Sequence, residues 1–330
     1  MRGVHIVLTA LAAAVVLAGC GAPVDTAKQT YPRTTVPAGA GMDGNGGKTT
    51  GKPKTNDPAF TNEKLRELDA CGLLTDDLLS SVGTPADNSA QDFGTCSNYM
   101  EDKDGGELSV TLYLGETVSN AEDADKNIGG LPALENPLDD GTACFITTVT
   151  STNPNVGIKV QIGGKGDELC KIGTTIMTSA VETIRTDPPK LDVRSGSLIT
   201  ADPCTLLEDA AVDTALGAST DQSPYTLHWC NWTGDGVNLG IWFRTGYDPK
   251  DSSEPGQPVD LGSGVTAYQE VSTGAGVTCR LEWRHRSTGA DGADEIVSIN
   301  LDKSSPAAGD NGCPSAVAIA QLLIPALPKP

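Results

Sequence analysis

The spacing of the cysteines constrains this chain more than any other feature. One of the nine, Cys20, lies alone near the N-terminus, and the other eight form two groups of four. Successive gaps are 25, 48 and 26 residues in the first group and 26, 49 and 34 in the second. Two such similar spacings predict a duplicated domain, and eight paired cysteines predict disulfides outside the reducing cytosol. The groups are Cys71, Cys96, Cys144 and Cys170, followed by Cys204, Cys230, Cys279 and Cys313.

The first 20 residues have the composition of a secretory signal. Arg2 gives a basic start, residues 4–16 form an apolar run, and the segment ends in Leu-Ala-Gly-Cys20. The run is shorter than the about 20 apolar residues that a membrane span needs. Its ending resembles the bacterial lipobox, which implies that Cys20 is diacylated with chains such as palmitate and becomes the mature N-terminus. Two acyl chains hold a protein stably on a membrane. The alternative is an ordinary cleaved signal that leaves a free cysteine.

The composition restricts both fold and partners. Residues 21–62 are rich in Gly, Pro, Thr, Lys and Ala, which predicts a flexible tether. The formal charge is −20, and loss of Arg2 with the signal lowers it to −21. Such acidity argues against a nucleic-acid partner, since that surface needs clustered Lys and Arg. Aromatic residues make up only 4% of the chain, so disulfides would supplement a modest core.

Each group of cysteines begins with the same pattern. The first opens with Asp-Ala-Cys71-Gly-Leu-Leu and the second with Asp-Pro-Cys204-Thr-Leu-Leu. The Asp suits a helix N-cap, apolar residues follow at helical spacing, and Gly83 or Gly217 would end the helix. Period-two alternation then predicts half-buried antiparallel strands, and closing helices are predicted over 167–185 and 314–324. The sequence therefore predicts an α+β fold with two tandem similar domains, each an antiparallel sheet covered by an N-terminal and a C-terminal helix and stapled by disulfides.

These patterns also set domain boundaries and favour one disulfide pairing. We predict a signal over 1–20, a tether over 21–62, a first domain over 63–186, a linker over 187–200, a second domain over 201–326 and a tail over 327–330. Four cysteines permit three pairings per domain. The similar gaps favour ties between a helix start and a strand, each closing a loop worth about 3 kcal/mol. Zinc binding is the competing interpretation, but no C-x-x-C spacing occurs. The favoured pairs are Cys71–Cys96, Cys144–Cys170, Cys204–Cys230 and Cys279–Cys313.

The lipobox, the polar tether, the Asp-Pro-Cys-x-Leu-Leu opening and a Cys-x-Trp motif together resemble a family of actinobacterial lipoproteins. The domain of that family has no known function, and the resemblance implies two copies of it here. The second copy carries the motifs as Asp-Pro-Cys204 and Cys230-Asn-Trp232. The first departs from them, because Ala70 replaces the Pro and Tyr99 lies three residues after Cys96. The resemblance implies a lipid-anchored envelope protein and supplies no catalytic residues.

The residues offer little for catalysis. Outside the signal the only histidines are His228 and His285, both in strand-like segments of the second copy. A Ser-His-Asp hydrolase would need one of them, but the chain has no G-x-S-x-G, H-E-x-x-H or phosphate-binding glycine loop. The acidic segment 100–106 lacks the bidentate Glu of a calcium loop, so we expect a hairpin turn. No metal site and no cofactor is predicted.

The most suggestive local feature is an asymmetry between the two copies. All four tryptophans lie in the second copy, and residues 279–286 concentrate three arginines. On a strand, Leu281, Trp283 and His285 would share one face, and the arginines and Glu282 the other. This pattern predicts an arginine-lined patch with aromatic edges that binds an anionic group. Alternatively, the tryptophans fill the core and the arginines lie on a solvated face. The candidate ligand-binding residues are Trp229, Trp232, Trp283, Arg280, Arg284, Arg286 and His285.

Taken together, these features predict a protein anchored by lipid on the extracytoplasmic face of the cell membrane. We expect a non-enzymatic binding or adaptor module whose second domain binds an envelope protein, a glycan or a small anionic ligand. One alternative is an envelope hydrolase that uses His228 or His285 with a carboxylate. The other is a carrier that holds a lipid or another apolar ligand between sheet and helices.

Overall fold

The strands of this protein form two antiparallel sheets, as the sequence predicts. The computed structural model describes residues 57–289 and 294–330, so Cys20, the predicted signal and most of the predicted tether lie outside the described residues. The described residues belong to one compact unit, and both sheets lie within it. Helices accompany each sheet, which gives the α+β class. None of the helices in the described ranges is long and apolar enough to cross a membrane.

Among the described residues, the first half contains four α-helices and eight strands. Its strand order is β1-β3-β4-β8-β7-β6-β5, with β2 paired to β3 as well. The helices are α1 (Asn62–Arg66), α2 (Ala70–Leu73), α3 (Asp76–Ser80) and α4 (Leu169–Thr186). The strands are β1 (Gly83–Thr84), β2 (Ala90–Asp92), β3 (Thr95–Asp102), β4 (Glu107–Thr117), β5 (Lys126–Ile128), β6 (Leu131–Pro137), β7 (Ala143–Thr152) and β8 (Asn155–Gly163).

The second half repeats this order. Its sheet runs β9-β10-β11-β15-β14-β13-β12, so β10–β15 take the places that β3–β8 take in the first sheet. Its helices are α5 (Asp209–Leu216) and α6 (Cys313–Leu323). The strands are β9 (Asp221–Thr226), β10 (Trp229–Gly234), β11 (Val237–Gly246), β12 (Gln257–Gly262), β13 (Val265–Thr273), β14 (Val277–Arg286) and β15 (Asp294–Lys303).

Each sheet has an inner face that packs on helices and an outer face on the other side. The alternation of apolar and polar residues in the sequence predicts these faces correctly, since the alternating apolar residues of β4, β8, β11 and β15 are buried. Helix α4 covers the first sheet through Ile176, Met177 and Val181, and α6 covers the second through Ile319 and Leu323. Burial of these two apolar faces is the main favourable contribution to folding.

Four disulfides tie the helical segments to the sheets at equivalent places in the two halves. In each half, one bond joins the opening segment to the strand β3 or β10, and the other joins β7 or β14 to the closing helix α4 or α6. The pairing is the one that the spacing favoured. The bonds are Cys71–Cys96, Cys144–Cys170, Cys204–Cys230 and Cys279–Cys313.

The opening helix differs from the prediction of one continuous helix. In the first half it is broken into α2 and α3, because the Thr75 side chain caps a new helix start by accepting from the Leu78 N–H. In the second half a 3-10 turn, Pro203–Thr205, precedes α5. Gly217 ends α5 with a φ of +65°, as expected. Gly83 instead lies in β1, where the Glu101 carbonyl leaves no room for a Cβ.

The predicted boundaries also shift, because flanking segments are packed. The sequence predicts a tether as far as residue 62, yet Phe60 is buried and Asp57 forms an ion pair with Arg185 at 2.8 Å. The sequence predicts a linker over 187–200, yet Leu198 is buried and its N–H donates to Glu295 at 2.7 Å. The predicted tail likewise contains the buried residue Leu327. These segments are parts of the folded unit.

A seam of specific contacts joins the two halves. The buried Arg66 donates from Nε to the Leu227 carbonyl at 3.1 Å and forms an ion pair with Asp202. Across the same seam, Thr117 Oγ1 of β4 donates to the Pro224 carbonyl of β9 at 2.7 Å. These bonds place β9, the edge strand of the second sheet, against the end of β4.

Candidate functional site

Two of the predicted ligand-binding residues lie in the core. Trp232 and Trp283 are 0% and 2% exposed and point to the inner face of the second sheet. The Trp232 indole N–H donates to Asp209 Oδ1 at 3.0 Å, at the start of α5. These side chains fill the core, as the alternative interpretation of the tryptophans expected, and no surface ligand reaches them.

Two further candidates, His285 and Arg286, help to hold the segment 196–199, which precedes the second half. An irregularity in the β14–β15 register between Arg284 and Arg286 places Arg286 opposite Glu295, with which it forms an ion pair. The His285 ring Nε2 hydrogen-bonds the Gly196 carbonyl at 2.9 Å, and burial lowers its pKa. Both side chains therefore act in packing, away from the other arginines.

The remaining candidates, Trp229, Arg280 and Arg284, lie on the outer face of the second sheet. A row of paired residues crosses five strands there: Trp229 lies opposite Trp242, then Ser298, Glu282 and Tyr268 follow. We call this surface the aromatic face. It consists of Tyr225, Trp229, Trp242 and Tyr268 together with Asn231, Arg244, Arg280, Glu282, Ser298 and Asn300.

The rings of the aromatic face stack in sequence. The Tyr225 ring lies 4.5 Å from that of Trp229, which stacks on Trp242 at 5.4 Å between centroids. The Arg244 guanidinium lies over the Trp242 ring at 5.6 Å. Tyr225 is 52% exposed, and the two indoles are half-buried, so each keeps an edge or face in solvent. Aromatic contacts of this kind are worth about 0.5–1.5 kcal/mol each beyond area burial.

The position of the Trp229 ring is fixed by its neighbours on the strands. A Cβ at Gly240 would lie 3.0 Å from the Trp229 Nε1 atom, so the glycine lets the indole lie close to the sheet. The same Nε1–H donates to Asn231 Oδ1 at 2.8 Å. A ring held in this way loses little conformational entropy when a ligand binds.

The arginines of the face are already paired with carboxylates. Glu282 accepts from Arg244 at 2.8 Å, from Arg280 at 2.7 Å and from the Ser298 hydroxyl at 2.5 Å. Burial opposes its ionisation, but the Ser298 and Arg244 hydrogen bonds outweigh burial and hold the pKa of Glu282 below its ordinary value. Arg284 forms an ion pair with Asp248 at 2.8 Å. An anionic ligand would have to compete with these carboxylates.

A smaller group of rings lies on the outer face of the first sheet. Lys159 Nζ lies 4.3 Å over the Tyr113 ring and also pairs with Glu116. Tyr99 is 69% exposed. Burial, the Glu116 carboxylate and the nearby hydroxyls of Tyr99 and Tyr225 raise the pKa of Tyr113. Tyr225 of the second half therefore lies near Tyr113 of the first.

The sequence analysis missed Trp242, Tyr225, Tyr113 and Tyr99. A signal for Trp242 was present, because Ile241 and Phe243 occupy the inner face of β11 and leave residue 242 on the outer face. No such signal exists for Tyr225, since its place beside Trp229 depends on an irregular register between β9 and β10.

A cleft of about 340 Å³ at the seam contains two more carboxylates. Asp92 accepts from the Thr245 and Phe93 N–H groups, and burial raises its pKa despite these bonds. Glu295 accepts from Ser197, Leu198 and Arg286. Both groups thus join separate segments of the chain. In the two described ranges, no group of three or more His, Cys, Asp or Glu could hold a metal ion.

Comparison with known families identifies the first half. The family described as "protein of unknown function (DUF3558)" matches residues 15–183, just over half of the 330 residues. The chain belongs to the DUF3558 family. The matched range of this DUF3558 member ends within α4 and so covers the first sheet, although the second half carries the fuller Cys-x-Trp motif.

Other comparisons add no argument about the DUF3558 fold or its function. No curated protein matches the chain. The crystal structure of MucB in complex with MucA(peri) is 12% identical with a TM-score of 0.15, over 76% of this chain and 97% of that chain. The di-domain ARO/CYC BexL from the BE-7585A biosynthetic pathway is 10% identical with a TM-score of 0.15, over 80% and 90%. TM-scores this low do not indicate a shared fold.

Proposed function

We propose that this DUF3558 member is a non-enzymatic binding module of the cell envelope and that its aromatic face is the binding surface. The observation that carries the proposal is the placement of Tyr225, Trp229 and Trp242 on an outer sheet face. Only 4% of the residues are aromatic, so the chain has few rings to fill its core, and those that stay partly in solvent do not serve that purpose. Exposed clusters of large apolar side chains with polar neighbours are typical of binding sites.

We also propose that the chain is exported, anchored through acylated Cys20 and built from two copies of the family domain. The lipobox-like ending supports acylation, and four disulfides support an extracytoplasmic compartment. The shared strand order and the equivalent disulfides of the two halves support duplication. The resemblance to actinobacterial lipoproteins supports the same proposal.

The contacts of the histidines support a binding role over hydrolysis. His228 is 2% exposed, and its Nε2 bonds the Ile199 carbonyl at 2.7 Å. Burial lowers its pKa to about 4. His285 bonds a backbone carbonyl in the same segment, so a substrate would have to displace that segment to reach either ring. The packed side chains between α4 or α6 and the sheets likewise give the carrier alternative little support.

Co-sedimentation with isolated cell-envelope fragments tests the binding proposal. A Cys20→Ser substitution in every arm removes any contribution of acyl chains. We expect the double variant Trp229→Ala/Trp242→Ala to bind at least about tenfold more weakly than its parent. Tyr247→Ala is the matched control, because Tyr247 is 66% exposed but lies beyond the end of β11. Equal sedimentation of the parent and the double variant would contradict the proposal.

The anchor is tested separately by metabolic labelling with an alkyne fatty acid. Label should enter the wild-type chain and be absent from Cys20→Ser. Label in both chains would show that acylation occurs elsewhere.

A further inference from the structure

We infer that the ligand is a neutral polysaccharide that lies across both sheets on a single line of rings. This line, the aromatic track, consists of Tyr113, Tyr225, Trp229 and Trp242. The inference rests on the proposed function and goes further, because it names the ligand class and extends the site onto the first half.

The track is continuous across the seam between the halves. Tyr113 lies in β4 and Tyr225 in β9, and these strands are joined by the bond from Thr117 to the Pro224 carbonyl. The Leu227 side chain fills the space beside Gly115, where φ is +78° and a Cβ would clash. The two strands therefore approach closely, and the Tyr225 hydroxyl lies near enough to help raise the pKa of Tyr113.

The shape of the track suits an extended chain. Neighbouring strands lie about 4.8 Å apart, so rings on β9, β10 and β11 follow one another across the sheet at that interval. Three of the rings have a polar neighbour that holds them: Trp229 is held by Asn231, Trp242 lies under Arg244, and Tyr113 lies under Lys159. A row of fixed rings on open sheet faces offers a long contact and little enclosure, whereas a compact ligand prefers a concave pocket.

The chemistry of the track suits a sugar. A pyranose ring has apolar C–H faces, which stack on aromatic rings, and a rim of hydroxyls that donate and accept hydrogen bonds. The row beside the tryptophans supplies such groups, since Asn231, Asn300 and Arg280 face outward on neighbouring strands. Apolar rings in single file between polar side chains differ from the apolar centre of a protein–protein interface, which buries about 800 Å² per partner.

The charges on and around the track favour a neutral ligand. Lys159 is paired with Glu116, Arg244 and Arg280 with Glu282, and Arg284 with Asp248. An anionic polymer would have to displace these carboxylates and approach a protein of formal charge −20. A neutral chain leaves every one of these pairs intact.

Binding to oligosaccharides of graded length tests the inference. We would titrate the Cys20→Ser chain with neutral series from amylose, a β-1,4-glucan and an α-1,6-mannan, all of which have vicinal diols, and with anionic hyaluronan, by isothermal titration calorimetry. We expect at least one neutral series to bind, with affinity that rises with chain length, and no binding of hyaluronan. Trp242→Ala should weaken binding at all lengths by about tenfold. Tyr113→Ala should leave short oligosaccharides unaffected and remove the gain with length.

Two controls separate loss of the ring from loss of the fold. Tyr113→Phe keeps the ring and should keep the gain with length, and Leu138→Ala alters an exposed apolar residue outside the track. An unchanged length dependence in Tyr113→Ala would overturn the extension onto the first sheet. Preferential binding of hyaluronan, or no binding of any neutral series, would overturn the ligand class.

Envelope fragments treated with periodate or with protease distinguish failure of the glycan inference from failure of the proposed function. Periodate, which cleaves sugar diols, should abolish co-sedimentation, and protease treatment should not. If periodate has no effect while Trp229→Ala/Trp242→Ala still abolishes sedimentation, the binding surface stands and the glycan inference fails. If the double variant sediments like its parent, the proposed function itself fails.

Discussion

The two halves share a scaffold but differ in what occupies one equivalent position. Residue 98 in β3 and residue 232 in β10 each lie two after a disulfide cysteine and opposite Val110 or Leu239. In the second half the residue is Trp232, whose indole reaches α5. In the first it is Asn98, 1% exposed, whose amide bonds the Ala86 backbone. The same strand position can therefore hold either a core tryptophan or a polar side chain that fixes a loop.

The outer faces differ more than the inner ones. In the second sheet, Trp229 and Trp242 stack beside a network of arginines and a carboxylate. The pair at the equivalent register of the first sheet is Thr95 and Tyr113, and the hydrogen-bonded pair Ser97 and Thr111 lies next to it along the strands. Because disulfides and inner faces maintain the strand order, the outer faces can change without loss of the fold. This difference is why we assign the main binding surface to the second half.

The largest effect is expected from truncating the two equivalent buried side chains. Trp232→Ala should lower the free energy of unfolding by about 3–5 kcal/mol, because it leaves a large cavity in the core. Asn98→Ala should cost less, about 1–3 kcal/mol, because only the hydrogen bonds to residues 86–89 are lost. Urea denaturation measures both. Equal losses would contradict the distinction between core filling and loop fixing.

The next comparison removes equivalent disulfides. Replacing Cys144 and Cys170 by Ser, or Cys279 and Cys313 by Ser, opens loops of 26 or 34 residues. On the chain-entropy model, each change should cost about 3–4 kcal/mol. The midpoints of thermal unfolding should therefore fall by similar amounts. A much larger fall in the midpoint for one of the two replacements would show that the closing helices α4 and α6 do not contribute equally to stability.

A somewhat smaller effect is expected from His228, which contacts Phe93 across the seam with ring centroids 5.1 Å apart. Its pKa is about 4 in the folded protein, against 6.5 ordinarily, because burial disfavours the charged ring. Between these values the unfolded chain binds the proton and the folded chain does not. Stability is therefore complete above pH 6.5 and falls as the pH drops towards 4, by about 3 kcal/mol in all.

The measurement is the slope of unfolding free energy against pH in the wild type and in His228→Gln. The variant should lose the part of the slope that lies between pH 4 and 6.5. His285→Gln is the matched control. Burial also lowers the pKa of His285, but this ring is only half-buried and bonds the Gly196 carbonyl. Identical slopes in wild type and His228→Gln would show that His228 is not buried in its neutral form.

The sequence predicted those features that depend on local pattern. Alternation gave the inner faces of β4, β8, β11 and β15, and spacing gave the four disulfides. The sequence pattern did not predict that the opening helix breaks at Thr75, because a capping threonine within an apolar pattern competes with a continuous helix. The sequence pattern places Arg286 with Arg280 and Arg284, but an irregular register displaces it and turns it towards Glu295. The proximity of Tyr113 to Tyr225 depends on how the halves pack, which no local pattern encodes.

Acrylamide quenching of tryptophan fluorescence tests the central claim most directly, because the four tryptophans divide into a half-exposed pair, Trp229 and Trp242, and a buried pair. Glycans released from envelope fragments should reduce quenching in the parent chain by covering the half-exposed pair. In Trp229→Phe/Trp242→Phe, which keeps aromatic rings but only the buried emitters, bound glycan should leave quenching unchanged. If the parent binds the glycans and its quenching stays the same, the ligand lies elsewhere and the aromatic face is not the binding surface.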